Sequence, residues 1–245
     1  MFKASIASQK LVECIDALKA LVAEAEFSLK PEGVSVAAVD ASNVALVTLD
    51  LPSKAFESYE ATEMVLGIDL KKMDGILEMS VKDEIVGLEV DEVSHKFIIK
   101  MRGLAYTMSL LDPASIRKLS KIPKLDLPGS VTFRGEDLRR GIKATKKVGD
   151  FVYIGISGKC FFIEGIGDTD SVKLELTREE VIDLIPAEVK AMFSLDYLLD
   201  ISKVSGKTAE VILELGTDSP LRVRHKIAGD GGTIMYILAP RVESS

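Results

Sequence analysis

The residue pattern predicts an α+β fold of two similar domains, each holding two β-α-β-β-β units. Three observations carry that prediction. Short runs of apolar alternation are separated by Gly, Pro and Asn turns, which reads as many short strands. Four stretches show the 3.6-residue period of a helix instead. The order of elements then repeats at an offset of about 127 residues, with Leu11/Leu138, Ile15/Ile142, Asp69/Asp196, Glu84/Glu210 and Leu111/Leu238 all within one or two residues of that shift. Domains are expected at 1–111 and 129–245, joined by a connector at 112–128.

In chain order, residues 2–6 read as a strand. Residues 8–22 follow as a helix, with its apolar stripe at Leu11, Ile15, Leu18 and Val22. Strands at 25–30, 34–39 and 44–51 are punctuated by a Pro31-Glu32-Gly33 turn. A short extended run at 64–68 leads into a helix at 69–79, which Asp69 should cap. Strands at 84–90, 96–101 and 104–111 close the first half. The connector holds Pro113, Pro123 and Pro128 among Lys and Leu with no regular period. The second half repeats the order: strand 130–134, helix 136–148, strands 151–157, 159–164, 171–176 and 191–194, helix 195–204, and strands 209–215, 220–227 and 233–238.

The helix from Glu136 to Gly149 is the feature with the clearest electrostatic meaning. Arg139, Arg140, Lys143, Lys146 and Lys147 fall within an arc of roughly 120°, and no acid lies between 139 and 147. Leu138, Ile142 and Thr145 centre the opposite face. One side is therefore built to pack and the other to hold positive charge in water. Acids in the first turn and cations in the last suit the helix dipole. The whole chain carries a net charge of −7, so the remainder is more acidic still. Any contact with a polyanion must be local.

Composition is that of a globular protein, 47% hydrophobic and 28% charged. No apolar run approaches the ~20 residues of a membrane span. The amino end has no signal-peptide core, so the chain is expected to stay in the cytoplasm. Cys14 and Cys160 are expected as two buried, reduced thiols, and His95 and His225 as strand residues without chemistry. Ser205–Thr208 resembles the end of a phosphate-binding loop, but Ile201 stands where that loop needs Gly. Two Cys and two His give no zinc spacing. The expectation is no enzyme, no cofactor and no metal. A phosphotransferase working through Ser205–Thr208 is the enzymatic alternative. An oligomeric nucleic-acid-binding scaffold without ring closure is the other.

Four motifs in order resemble one family. They are Asp16-Ala-Leu-Lys-Ala-Leu21, Gly33-Val-Ser-Val-Ala-Ala-Val-Asp-Ala-Ser-Asn-Val-Ala-Leu-Val47, Leu111-Asp-Pro113 with Ile122-Pro123, and the ending Tyr236-Ile-Leu-Ala-Pro-Arg-Val-Glu243. Together they resemble the proliferating cell nuclear antigen sliding clamps, archaeal ones above all. The resemblance implies the ring-forming DNA clamp fold, with three identical subunits encircling duplex DNA and helices lining the hole. The ring would act as a processivity factor for DNA replication and repair, holding phosphates without reading bases.

Carried over residue by residue, the resemblance makes Lys19, Arg140, Lys143 and Lys203 DNA-facing. Lys10, Lys71, Lys72, Arg139, Lys146 and Lys147 join them by position on the four helices. Glu13, Gly75 and Glu78 depart from the pattern, so the second domain is expected to dominate attraction for DNA. The implied partners are DNA polymerase, clamp loader, flap nuclease and ligase, captured through short peptide motifs at Val39, Leu46, Leu119, Ile122, Pro123, Pro220, Ile237, Leu238, Ala239 and Pro240. Ring closure would pair the strand holding Ala105, Tyr106, Thr107 and Met108 with that holding Ser171, Val172, Lys173 and Leu174. No membrane contact is implied.

Overall fold

The computed structural model describes residues 1–119, 121–206 and 209–241. Val242 and Glu243 of the carboxyl-terminal motif, and Lys207 and Thr208 of the phosphate-loop-like segment, lie outside the described residues. The first half runs β1 (Phe2–Ala7), α1 (Ser8–Lys19), β2 (Glu24–Lys30), β3 (Gly33–Val39), β4 (Ala45–Pro52), β5 (Ser58–Ala61), β6 (Met64–Asp69), α2 (Leu70–Leu77), β7 (Ile85–Asp91), β8 (Lys96–Met101) and β9 (Leu104–Ser109). The second runs β10 (Gly129–Arg134), α3 (Gly135–Thr145), β11 (Phe151–Ser157), β12 (Cys160–Ile166), β13 (Ser171–Thr177), β14 (Asp183–Ile185), β15 (Val189–Ser194), α4 (Leu195–Val204), β16 (Glu210–Leu215), β17 (Leu221–Ile227) and β18 (Gly232–Leu238). Equivalent elements begin about 125–128 residues apart, so the duplication read from the sequence holds element by element.

Two compact units result. The first comprises Met1–Ala41, Leu46–Ser120 and Lys226–Ile234; the second comprises Ser42–Ala45, Lys121–His225 and Met235–Ser245. In the first, strands follow the order β5-β1-β7-β8-β9 and β4-β3-β2-β6. In the second they follow β13-β12-β11-β15 and β14-β10-β16-β17-β18. The pairings within each unit are antiparallel, for example Lys3↔Glu89 and Val131↔Leu213. Each unit buries one face of its helices. Leu11, Ile15 and Leu18 of α1 join Leu70, Met73, Ile76 and Leu77 of α2 in the first core. Leu138 and Ile142 of α3 join Leu195, Leu198 and Ile201 of α4 in the second.

Several details differ from the sequence reading. The short strands β5 and β14 escape it because each is held by backbone pairing to one neighbour, β1 and β10, with no apolar stripe of its own. α1 stops at Lys19 rather than Val22, because Leu21 and Val22 both donate to the Leu18 carbonyl and tighten the last turn. α3 stops at Thr145 in the same way: Val148 and Gly149 both donate to the Thr145 carbonyl. Asp69 does cap α2, accepting from the Lys72 N–H at 2.9 Å. His95 is not a strand residue; it occupies the β7–β8 turn with φ +52°. Cys160 is half-buried rather than buried, since it opens β12 at a hairpin turn opposite Ser157.

Candidate nucleic-acid interface

α3 owes its position to two close approaches. A Cβ on Gly135 would lie 2.3 Å from the Gly206 carbonyl oxygen, and one on Gly141 would lie 2.8 Å from Ile163 Cδ1. Side-chain-free backbone lets the helix settle against the chain just past α4 at Gly135 and against β12 and β13 at Gly141. Leu138, Ile142 and Thr145 are buried beneath it, and the Thr145 hydroxyl donates to the Ile142 carbonyl at 3.0 Å. Glu136 and Asp137 occupy the first turn. The Asp137 carboxyl sits above the usual carboxylate range because burial and the Glu136 charge outweigh the pull of Arg140.

The five cations of this stretch do not have equal freedom. Arg140, Lys143 and Lys147 are exposed and form no ion pair among the described residues. Arg139 is half-buried, and its guanidinium donates to the carbonyls of Ser202 (3.3 Å), Lys203 (2.6 Å) and Ser205 (3.4 Å). Those oxygens are orphans at the end of α4, so Arg139 ties α4 to α3 instead of projecting into solvent. Lys146 is exposed but lies 2.5 Å from Asp150 and 3.6 Å from Asp196. The Asp150 hydrogen bond holds its pKa above the ordinary lysine value. Lys203 pairs with Asp200 at 2.8 Å.

In the first unit the candidate cations lie on α1 and α2. Lys19 is half-buried between Asp74 and Asp16, the latter at 3.4 Å. Burial works against its charge, but the two carboxylates outweigh it and raise its pKa. Lys10 reaches the Ala55 carbonyl at 3.2 Å and Glu57 at 3.5 Å. Lys72 is 3.8 Å from its cap Asp69, whereas Lys71 is exposed without an ion pair among the described residues. Among the DNA-facing candidates, cations without an ion pair among the described residues thus gather chiefly on α3 and the turn after it.

β9 and β13, the candidates for subunit contact, are both edge strands, hydrogen-bonded to one neighbour only. Ala105, Tyr106 and Thr107 are exposed, as are Ser171 and Lys173, while Val172 and Leu174 are half-buried. Met108 points into the core at 4% exposure and presents little surface.

Among the partner-binding candidates, Val39 lies opposite Leu46 in the β3–β4 register, and Leu119 belongs to the same unit. Ile122, Pro123, Pro220, Ile237, Leu238, Ala239 and Pro240 belong to the second unit. Ile122 and Pro123 are exposed and Pro220, Ala239 and Pro240 half-buried, but Ile237 is 5% exposed and Leu238 fully buried. Leu238 is therefore core, not surface. A cleft of about 480 Å³ opens beside Val39, walled by Leu21, Val22, Ala38, Ile116 and Arg117. None of these five is among the partner-binding residues expected from the sequence, although Leu21 and Ala38 lie within the family-like motifs.

No cluster of His, Cys, Asp and Glu able to hold a metal occurs among the described residues, and no described helix is long and apolar enough to cross a membrane. Cys14 is buried, and desolvation pushes its thiol up to about 12.

Residues 1–104 match the family model of the proliferating cell nuclear antigen N-terminal domain, and residues 121–241 match that of its C-terminal domain. The chain belongs to the proliferating cell nuclear antigen family. Among curated members, the DNA polymerase sliding clamps of Methanosarcina mazei and Methanococcoides burtonii are 47% and 46% identical over 244 residues, covering all of both chains. A solved family structure described as the C-terminal region of FEN-1 bound to A. fulgidus PCNA superposes with TM-score 0.95 at 32% identity, covering 100% of each chain. PCNA from Thermococcus kodakaraensis superposes with TM-score 0.92 at 26% identity, covering 98% of this chain and 100% of that one. The fold is thus the α+β clamp fold of the family, and its curated relatives carry the sliding-clamp function that the sequence motifs pointed to.

Proposed function

We propose that this protein is a DNA sliding clamp that works as a topological tether, without catalysis of its own, in the cytoplasm. Three copies close head to tail, the β9 edge of one pairing with the β13 edge of the next. That arrangement covers two strand edges that would otherwise invite aggregation. The domains are residues 1–111 and 129–245, with 112–128 as the connector. Duplex DNA threads the ring and is held by Arg140, Lys143 and Lys147, with Lys71 a weaker contributor and Lys10, Lys19, Lys72, Arg139, Lys146 and Lys203 already partnered within the chain. DNA polymerase, clamp loader, flap nuclease and ligase dock through short motifs with a Phe or Leu anchor, at Val39, Leu46, Leu119, Ile122, Pro123, Pro220, Ile237, Ala239 and Pro240.

The observation that carries this reading is the set of exposed cations Arg140 and Lys143 of α3 and Lys147 of the turn after it, without ion pairs among the described residues, in a chain of net charge −7. Backbone phosphates are the sequence-independent target of such a set. Primer extension on circular against linear templates tests it, with the assembly mass measured alongside. A trimer that raises processivity only on circles, where it cannot slide off an end, is the expected result. A monomer, or equal stimulation on both templates, would instead favour the open scaffold.

A further inference from the structure

The core of the first unit encloses a cavity of about 40 Å³ where its two sheets meet its two helices. Phe2, Leu88 and Phe97 reach it from β1, β7 and β8, and Phe27, Leu49 and Leu66 from β2, β4 and β6. Cys14 of α1 and Met73 of α2 add the two sulfur atoms of its wall. Of these side chains only Phe27 is more than 6% exposed. The rings of Phe2 and Phe97 lie stacked, with centroids 6.3 Å apart. The second unit treats the corresponding point of its helix differently. Gly141 of α3 answers to Cys14 at the repeat offset of about 127 residues, and a Cβ there would already lie 2.8 Å from Ile163 Cδ1 and 3.0 Å from Leu174 Cδ2. At Cys14 a whole side chain fits and space is left beside it. That space comes from the first unit's own side chains, not from the repeated architecture.

We propose that this cavity is a binding site for one small, apolar, polarisable molecule, smaller than benzene and with xenon as its simplest example. Size and chemistry both point there. The space exceeds the roughly 10–15 Å³ that a single water needs, and falls well below the roughly 150 Å³ of a cavity that takes benzene. Water also needs two to four polar partners. The side chains of the wall offer only the Cys14 thiol, which stays protonated at neutral pH, and the Met73 thioether. Both are weak hydrogen-bonding groups. What the wall does supply is dispersion: the rings of Phe2, Phe27 and Phe97 and two soft sulfur atoms surround the ligand at once. Many small contacts of this kind hold a polarisable atom without asking it for a hydrogen bond.

Methyl NMR on the full chain under xenon pressure tests this. The methyl signals of Leu11, Ile15 and Leu88, which line the cavity, should shift and saturate. Those of Leu138 and Ile142 in the second unit should stay in place. Cys14→Val fills the space with methyl groups and should abolish the saturable shift, while melting no lower than the parent. Leu88→Val takes one methylene from the wall and should tighten xenon binding severalfold. Its melting temperature should fall, and xenon should recover part of the loss by mass action. Shifts that grow linearly with pressure, spread over both units or persist in Cys14→Val mark surface contact and overturn the inference. So does the absence of any shift in the parent. Should Cys14→Val fail to fold, Leu88→Val decides alone, and unchanged or weaker xenon binding by it overturns the inference.

Discussion

α1 and α3 occupy equivalent places in the duplicated units, yet they carry opposite charge at equivalent positions. Leu11 and Ile15 of α1 match Leu138 and Ile142 of α3, and all four are buried. On the outward face, Lys10, Glu13 and Asp16 stand where α3 has Asp137, Arg140 and Lys143. The first helix spends its charges internally. Lys19 is held by Asp16 and Asp74, and the Glu13 carboxylate accepts the Ala228 N–H at 2.8 Å. α3 and the turn after it instead leave Arg140, Lys143 and Lys147 without an ion pair among the described residues. The apolar face fixed where each helix packs, and the polar face was free to diverge. Counting cations in a sequence therefore overstates how many can meet a ligand.

The contrast is broken most severely by charge reversal. Arg140→Glu/Lys143→Glu should abolish clamp-dependent primer extension, a loss of well over ten-fold, because two phosphate contacts become repulsions. Lys71→Glu/Lys72→Glu should cost clearly less in the same assay. Equal losses would mean that α2 contributes as much as α3.

A second comparison separates neighbours. Arg139→Ala removes three bonds to the end of α4 and should lower unfolding free energy by ~2 kcal/mol. Its effect on the salt dependence of DNA binding should be small. Arg140→Ala should do the reverse, leaving the melting temperature nearly unchanged and reducing the log–log salt slope by about 0.9 for each subunit whose Arg140 meets a phosphate. Denaturant titrations and salt-series binding on both variants check the pair.

Glycines sharpen the comparison further. Gly141→Ala drives a methyl against Ile163 and Leu174 and should cost about 1–3 kcal/mol. A Cβ at Gly75 of α2 meets nothing within 4 Å, so Gly75→Ala should stabilise by up to ~1 kcal/mol. Thermal melts of the two variants should shift in opposite directions.

The smallest effect concerns Glu13. Burial raises its pKa in the folded state, against the lowering influence of the Ala228 and Gly229 amides. A raised acid pKa means that ionisation costs the folded state more than the unfolded one, so stability falls as pH rises through the shifted value. Glu13→Gln should therefore melt slightly higher at neutral pH. The advantage should vanish below about pH 4, where the carboxyl is protonated in both states. A difference that persisted or grew in acid would show that the Gln effect is not electrostatic.

Periodicity alone located all four helices and nearly every long strand, because alternation and the 3.6-residue stripe follow directly from which face is buried. The duplication was legible for the same reason: Leu11 and Leu138, or Ile15 and Ile142, answer the same packing demand. The positive face of α3 could also be read, since five cations without an acid define one side of a helix whatever surrounds it. Whether each cation stays available depended on neighbours distant in sequence. Arg139 is consumed by carbonyls more than 60 residues away at 202–205, and Lys19 by Asp74 on another helix. Leu238 and Met108 could not be told from surface residues until their sheets were assembled. β5 and β14 exist through pairing alone. Local pattern thus determined the elements and their charge, because each residue carries its own hydropathy and sign. Only the tertiary structure decided which charges remain unspent, because neutralisation is a property of pairs brought together by the fold.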